Sequence, residues 1–359
     1  MDRPNPSFNL SPSLSEASSN PFLKLQSRYL ILGTYLIASF AVGLVYAYVA
    51  QFGLLPWPFE DPISQPILSI AIWLVLVLVV VWAGREEGLK FQQVFGPKAA
   101  KISPVYAGLL VCSLLLFSMG SFSVAFYFIS WGFPERAAEI LQTDLIVGSN
   151  SSEYPQLYDA LMLFLPVVFA PLVEEFVFRG ILLQRWGVTW GLRWGIVGSS
   201  VLFGVLHFNN PIGLTLFGFV MGLLYVQTRS LWVPIACHSL NNLIVVGVSL
   251  LSHAADSTAV EPATVEAVRQ NWGWGLVLML VSAPLVWRFV RRSWPQVGGE
   301  IPYVMNMALA NGGPISSSSA SIDASSGNVP SSLGEATTEE ATTSQAAMLS
   351  RQDTESRDS

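Results

Sequence analysis

Apolar residues collect along this chain in eight long runs, near 29–50, 63–83, 104–131, 157–183, 195–209, 211–228, 231–251 and 273–291, with short polar stretches between them. A spanning helix needs roughly 20 mostly apolar residues, because the hydrocarbon core of a bilayer is about 30 Å thick. The pattern therefore predicts an all-α, polytopic membrane protein with about eight transmembrane helices. The fifth and sixth runs are short and meet at Asn209-Asn210-Pro211. They are expected to tilt or to bury their ends against neighbours, since exposed backbone is not tolerated in lipid.

Outside the runs the chain is polar. The first 28 residues hold Ser, Pro, Asp2 and Glu16 and lack a short apolar core with a small-residue cleavage site, so a cleaved signal peptide is not expected. Residues 29–145 form an N-terminal transmembrane part, 157–251 a central membrane core and 271–292 a last span. From 296 to 359 Ser, Thr, Ala and Glu predominate, as in Ser316–Ser319. With so few large apolar residues this tail is expected to be disordered.

Charge placement suggests an orientation. With the N-terminus in the cytoplasm, 14 Lys and Arg fall on inner segments and only Arg136 and Arg269 on outer loops, leaving aside Arg351 and Arg357 in the far tail. The outer loops collect Glu60, Asp61, Glu135, Glu139, Asp144 and Glu153. An even number of spans with both termini cytoplasmic satisfies the positive-inside bias. A bacterial plasma membrane is the expected location, with an organelle membrane as the alternative.

Composition narrows the function. Hydrophobic residues make up 52% of the 359 and charged residues 12%, about half the charged share of an ordinary soluble domain. Eighteen Lys and Arg against 24 Asp and Glu give a net charge of −6, so there is no basic face for nucleic acid. Cys112 and Cys237 are too few for a disulfide framework or a cysteine zinc site.

The informative residues are the ionisable ones inside apolar runs, since a charge at bilayer depth costs roughly 2.5–3.5 kcal/mol on insertion scales and usually serves a function. The fourth run contains Glu174, Glu175 and Arg179. Arg179 lies four residues after Glu175, on one helical face and in the favourable order for an ion pair. Glu174 is turned about 100° away on an ideal helix, without that partner and free to exchange a proton. Two of the three histidines, His207 and His238, lie in the fifth and seventh runs, and Asn242 follows His238 at i+4. Depth is consistent with a shared site. At about 1.5 Å per residue, Glu174 is roughly 16 Å from Arg185, His207 roughly 21 Å from Arg193 and His238 roughly 14 Å from Arg229. Three groups on different spans thus come level.

These residues resemble the three motifs of the CPBP family, which includes the type II CAAX prenyl endopeptidases and bacteriocin-processing intramembrane proteases. The motifs read Glu174-Glu175-x-x-x-Arg179, Phe203-x-x-x-His207 and His238-x-x-x-Asn242, in family order over about 70 residues. The resemblance implies an intramembrane endopeptidase. Glu174 would activate a water that His207 helps to hold, and His238 and Asn242 would donate to the oxyanion. Glu175, Arg179 and Phe203 would support them. A divalent metal such as zinc is left open, with Glu174, His207 and His238 as the set that would hold it. Implied partners are the lipid bilayer and a peptide or membrane-protein substrate, lipidated substrates included. The rival readings are a non-catalytic membrane scaffold, a bacteriocin-immunity protein and a proton-coupled transporter.

Overall fold

The computed structural model describes residues 20–27, 29–98, 102–142, 152–256 and 264–312. Most of the polar N-terminal tail, the loop containing Asp144, the side chain of His253 and the tail from 313 onward lie outside the described residues. Within them, every regular element is a helix. The eight apolar runs appear as α1 (Tyr29–Gln51), α2 (Ser64–Glu86), α3 (Pro104–Gly132), α4 (Pro155–Trp190), α5 (Leu192–Leu206), α6 (Pro211–Thr228), α7 (Trp232–Asp256) and α8 (Trp272–Ser293). Seven are long and apolar enough to cross a membrane, and α5, with 15 residues, is the short one. Its length of about 22 Å falls short of the hydrocarbon thickness. The protein is an all-helical integral membrane protein.

Lipid acts as solvent for the outer faces. On α1, Leu36, Ile37, Phe40, Leu44 and Val45 all point outward, uncovered by protein. Inside, small residues let backbones approach. A Cβ on Gly204 of α5 would run into Thr215 and the Pro211 carbonyl of α6. One on Gly120 of α3 would collide with the carbonyl of Gly275 in α8. Close packing of this kind replaces the missing hydrophobic drive between helices in lipid.

Helix starts follow local chemistry. Ser103 caps α3 and Asn210 caps α6, each accepting from a backbone N–H three residues on and each followed by proline at the first helical position. Helix α4 is the irregular one. It carries Pro166 and Pro171, and it passes from α-helix into a π turn at Leu165–Phe169, back to α-helix at Ala170–Glu175, and into π geometry again at Phe176–Leu183.

One expectation about the tails is corrected. The stretch assigned to a disordered tail from 296 begins with an ordered element, the helix Pro302–Ala310, in which Pro302, Tyr303 and Asn306 are buried. The Tyr303 N–H donates to Gln184 Oε1 (2.7 Å), and Asn306 Nδ2 donates to the carbonyls of Gln93 (2.9 Å) and Arg229 (3.0 Å). On the N-terminal side, Phe22 and Leu25 are buried, and Phe22 meets the Tyr303 ring edge to face. Composition understated the C-terminal segment because a few apolar anchors in a polar background are enough to dock a short helix.

Candidate active site

Helices α4, α5, α6 and α7 bring the motif residues together. Glu175 and Arg179 form the expected i,i+4 ion pair, Arg179 Nη1 to Glu175 Oε1 at 3.0 Å, with both side chains buried. The second terminal nitrogen, Nη2, donates to the Gly218 carbonyl of α6 at 3.1 Å, and the guanidinium carbon sits 4.6 Å from the Phe203 ring centroid. A side chain at Gly218 would press on both Arg179 and Phe203, so glycine there makes room for the buried cation.

The pairing is not confined to one helix. His238 Nδ1 lies 2.9 Å from the same Glu175 Oε1. Glu175 Oε2 is buried and makes no hydrogen bond. The compensation of this carboxylate therefore comes through Oε1, from Arg179 and His238 together, as a buried charge requires.

His207 departs from expectation in one respect. It lies within the fifth apolar run, yet α5 ends at Leu206 and His207 is the residue that closes it, with φ −101° and ψ 69°. The chain must turn here because Asn210 and Pro211 already begin α6. Asn210 anchors that turn to α3 by donating to the Ser118 carbonyl and hydroxyl, at 2.9 and 2.8 Å, and by accepting from Ser121. His207 Nδ1 is 2.7 Å from the Phe203 carbonyl.

These partners orient the rings. A carbonyl and an ionised carboxylate only accept, so Nδ1 carries a proton in both rings and Nε2 is the nitrogen left for the site. Both Nε2 atoms face Glu174. His207 Nε2 stands 4.0 Å from Glu174 Oε2, and His238 Nε2 stands 3.9 Å from the same oxygen. The Glu174 side chain is 16% exposed, between His207 at 36% and His238 at 6%. His207 therefore forms the mouth of the site and His238 its back wall. Aromatic rings fix both imidazoles. Phe203 packs on His207 with centroids 4.4 Å apart, and Phe217 of α6 meets His238 edge-on at 5.0 Å.

Asn242 takes a different place. Its Nδ2 donates to the Pro166 carbonyl of α4 at 2.8 Å, and its oxygen accepts from Asn241 at 3.0 Å. Phe217, Gly218 and Pro166 carry no signal of their own in the sequence, where Asn210 stands out only as part of the junction between the fifth and sixth runs. Only Asn210-Pro211 carried a local signal, as a cap followed by proline.

Ligands about 2.0 Å from a tetrahedral zinc are about 3.3 Å from each other, closer than the 3.9 and 4.0 Å between Glu174 and the two imidazoles. Among the described residues, no group of three or more His, Cys, Asp or Glu side chains is placed to hold a metal ion. As arranged, these side chains do not fit a metal. The separations do fit a bridging water, which hydrogen-bonds over about 2.8 Å to each neighbour.

Similarity to known proteins falls on this region. Residues 156–244 match the family described as "Type II CAAX prenyl endopeptidase Rce1-like". The Bacillus subtilis (strain 168) protein named "Putative membrane peptidase YdiL" is 32% identical over 88 residues, which cover 24% of this chain and 36% of the relative. "Uncharacterized protein YyaK" from the same organism is 32% identical over 105 residues, 26% of this chain and 34% of that protein. The chain thus spans about a third of the length of these curated relatives. No solved structure matches it. The segment that carries Glu174, His207, His238 and Asn242 is thus the part of the chain that is similar to the Rce1-like type II CAAX prenyl endopeptidases.

Proposed function

We propose that this protein is an intramembrane endopeptidase in which Glu174 activates a water and His238 stabilises the oxyanion. The observation that carries the reading is the convergence of both imidazole Nε2 atoms on Glu174 Oε2, at 3.9 and 4.0 Å, a gap suited to one oxygen atom. The family match at residues 156–244 supports the reaction class.

In this mechanism the Glu174 carboxylate accepts one proton of the water and His207 Nε2 accepts a hydrogen bond from the other. The water oxygen attacks the peptide carbonyl carbon, and the carbonyl π pair moves onto oxygen. His238 acts as an imidazolium, with Nδ1–H held by Glu175 and Nε2–H directed at that oxyanion. Collapse of the tetrahedral intermediate breaks the C–N bond, and Glu174 returns its proton to the departing amine. Glu175 acts through His238 by fixing its ring, as a buried carboxylate does for a catalytic histidine. No step runs through a metal. We place the site nearer the cytoplasmic face, which the charge bias of the loops supports. The substrate is a peptide or membrane protein that approaches from the bilayer.

The test is cleavage of a mixed peptide set, with and without a lipidated C-terminus, by protein in lipid nanodiscs, read by mass spectrometry. Glu174→Gln is expected to lower kcat by on the order of 10²–10⁴-fold, the worth of a general base. His238→Ala is expected to cost about 10²–10³-fold, the worth of an oxyanion donor. Chelator is expected to change nothing. Cleavage that survives Glu174→Gln, or that chelator abolishes, overturns the mechanism.

A further inference from the structure

We propose that Asn242 is a positioning residue, which completes the broken helix α4 and thereby sets where Glu174 stands; this rests on the peptidase reading above. The reasoning starts at the π turn Leu165–Phe169. There the Ala170 N–H bonds to the Leu165 carbonyl, five residues back, where an α-helix would use the carbonyl of Pro166. In π geometry the Pro166 carbonyl would next take the N–H of residue 171. That residue is Pro171 and has no N–H. The Pro166 carbonyl is left without a donor from its own helix, at membrane depth, where an unsatisfied backbone group is costly.

Asn242 fills the vacancy. Its Nδ2 reaches the Pro166 carbonyl at 2.8 Å, while Asn241 donates to its oxygen and so holds the amide with nitrogen toward α4. One turn earlier on α7, His238 grips Glu175 at 2.9 Å. Helix α7 therefore clamps α4 at two levels, one on each side of Pro171. Two clamps fix both the rotation and the slide of α4 against α7. Glu174, three residues past Pro171, is held relative to the His238 ring. The i,i+4 spacing of His238 and Asn242 thus joins one residue that faces the reaction to one that braces the helix opposite.

The experiment compares wild type, Asn242→Ala, Pro171→Ala and the double variant in nanodiscs. Peptide cleavage and backbone hydrogen exchange across residues 165–175 are both measured. Asn242→Ala is expected to lower kcat by on the order of 10²-fold with KM little changed, as a small misplacement of a reacting group does, and to speed exchange in that stretch. Adding Pro171→Ala supplies the missing N–H and should restore both. A single variant that fails to fold while the double variant folds supports the clamp as well; if neither folds, the proposal is overturned. It is overturned too if Asn242→Ala leaves exchange in α4 unchanged, or if the double variant recovers exchange without activity, which would put Asn242 on the substrate. Should wild type cleave no peptide, the peptidase reading fails, and the exchange data alone still decide the clamp.

Discussion

Helices α1 and α2 and helices α4 to α7 all read as apolar runs in the sequence, yet they are built on different terms. Within the spanning windows, 11% of α1 and 17% of α2 is buried in protein, against 50% of α6. Helix α1 has no ionisable Asp, Glu, Lys, Arg or His at all, and most of its large side chains face outward. The core holds Glu175, Arg179 and His238 almost free of exposure. It is closed by glycines at 204, 213 and 218, where an added Cβ would crowd its neighbours. Apolar surface alone does not make helices associate in lipid; small residues and paired polar groups do. The hairpin is solvated by the membrane, whereas the core is solvated by itself.

Substitutions should scale with that contrast. The largest effect on stability is expected from Arg179→Met, which leaves the buried Glu175 carboxylate to His238 alone. A loss of about 3–5 kcal/mol is expected, measurable by denaturant unfolding in detergent. A loss near zero would mean that His238 alone satisfies the carboxylate. Next comes Gly204→Val at the α5–α6 contact, where overpacking costs about 1–3 kcal/mol. Because His207 is three residues away, cleavage activity should fall along with the unfolding midpoint. At the other extreme, Ile37→Leu on the outer face of α1 should stay within about 0.5 kcal/mol of wild type. A larger effect there would show that α1 packs on a partner.

Between these lies the junction of the two regions. Asp61, in the loop between α1 and α2, accepts from the Ile63 N–H (2.9 Å), from the Ser152 hydroxyl (2.8 Å) and from the Glu153 N–H (2.8 Å), just before α4 begins. Burial pulls its carboxyl up, but the three hydrogen bonds outweigh this and hold it below the ordinary carboxylate value. A depressed folded value means that the ionised form favours the folded state. Its contribution is complete above the unfolded value of about 3.9 and disappears as pH falls through the folded value. The thermal unfolding midpoint of wild type should therefore fall on acidification in that window. Asp61→Asn should be less stable near neutrality and should lose that part of the pH dependence. An unchanged acid limb in the variant would remove Asp61 as its cause.

Much of this was readable in the chain itself. The apolar runs anticipated all eight helices to within a few residues at most ends, because length and hydropathy are local properties that lipid enforces directly. The Glu175–Arg179 pair followed from spacing, and it survives although the helix switches to π geometry just beyond Glu175. The run of residues around His207 was less informative. Hydropathy placed this residue within a span, since nothing in composition marks the point where α5 stops, and the cap at Asn210 with Pro211 decided it.

By itself, then, the sequence determined an all-helical membrane protein and which few polar side chains lie at bilayer depth, because each rests on local composition. Only the tertiary structure decided how those side chains pair. Glu175, rather than Glu174, holds His238 at Nδ1, both Nε2 atoms turn to Glu174, and the Asn242 amide goes to a carbonyl orphaned by Pro171. A missing N–H and a free lone pair are visible in the chain, but their partners lie 63 to 76 residues away. Backbone geometry, through two prolines and a π turn, selects among them.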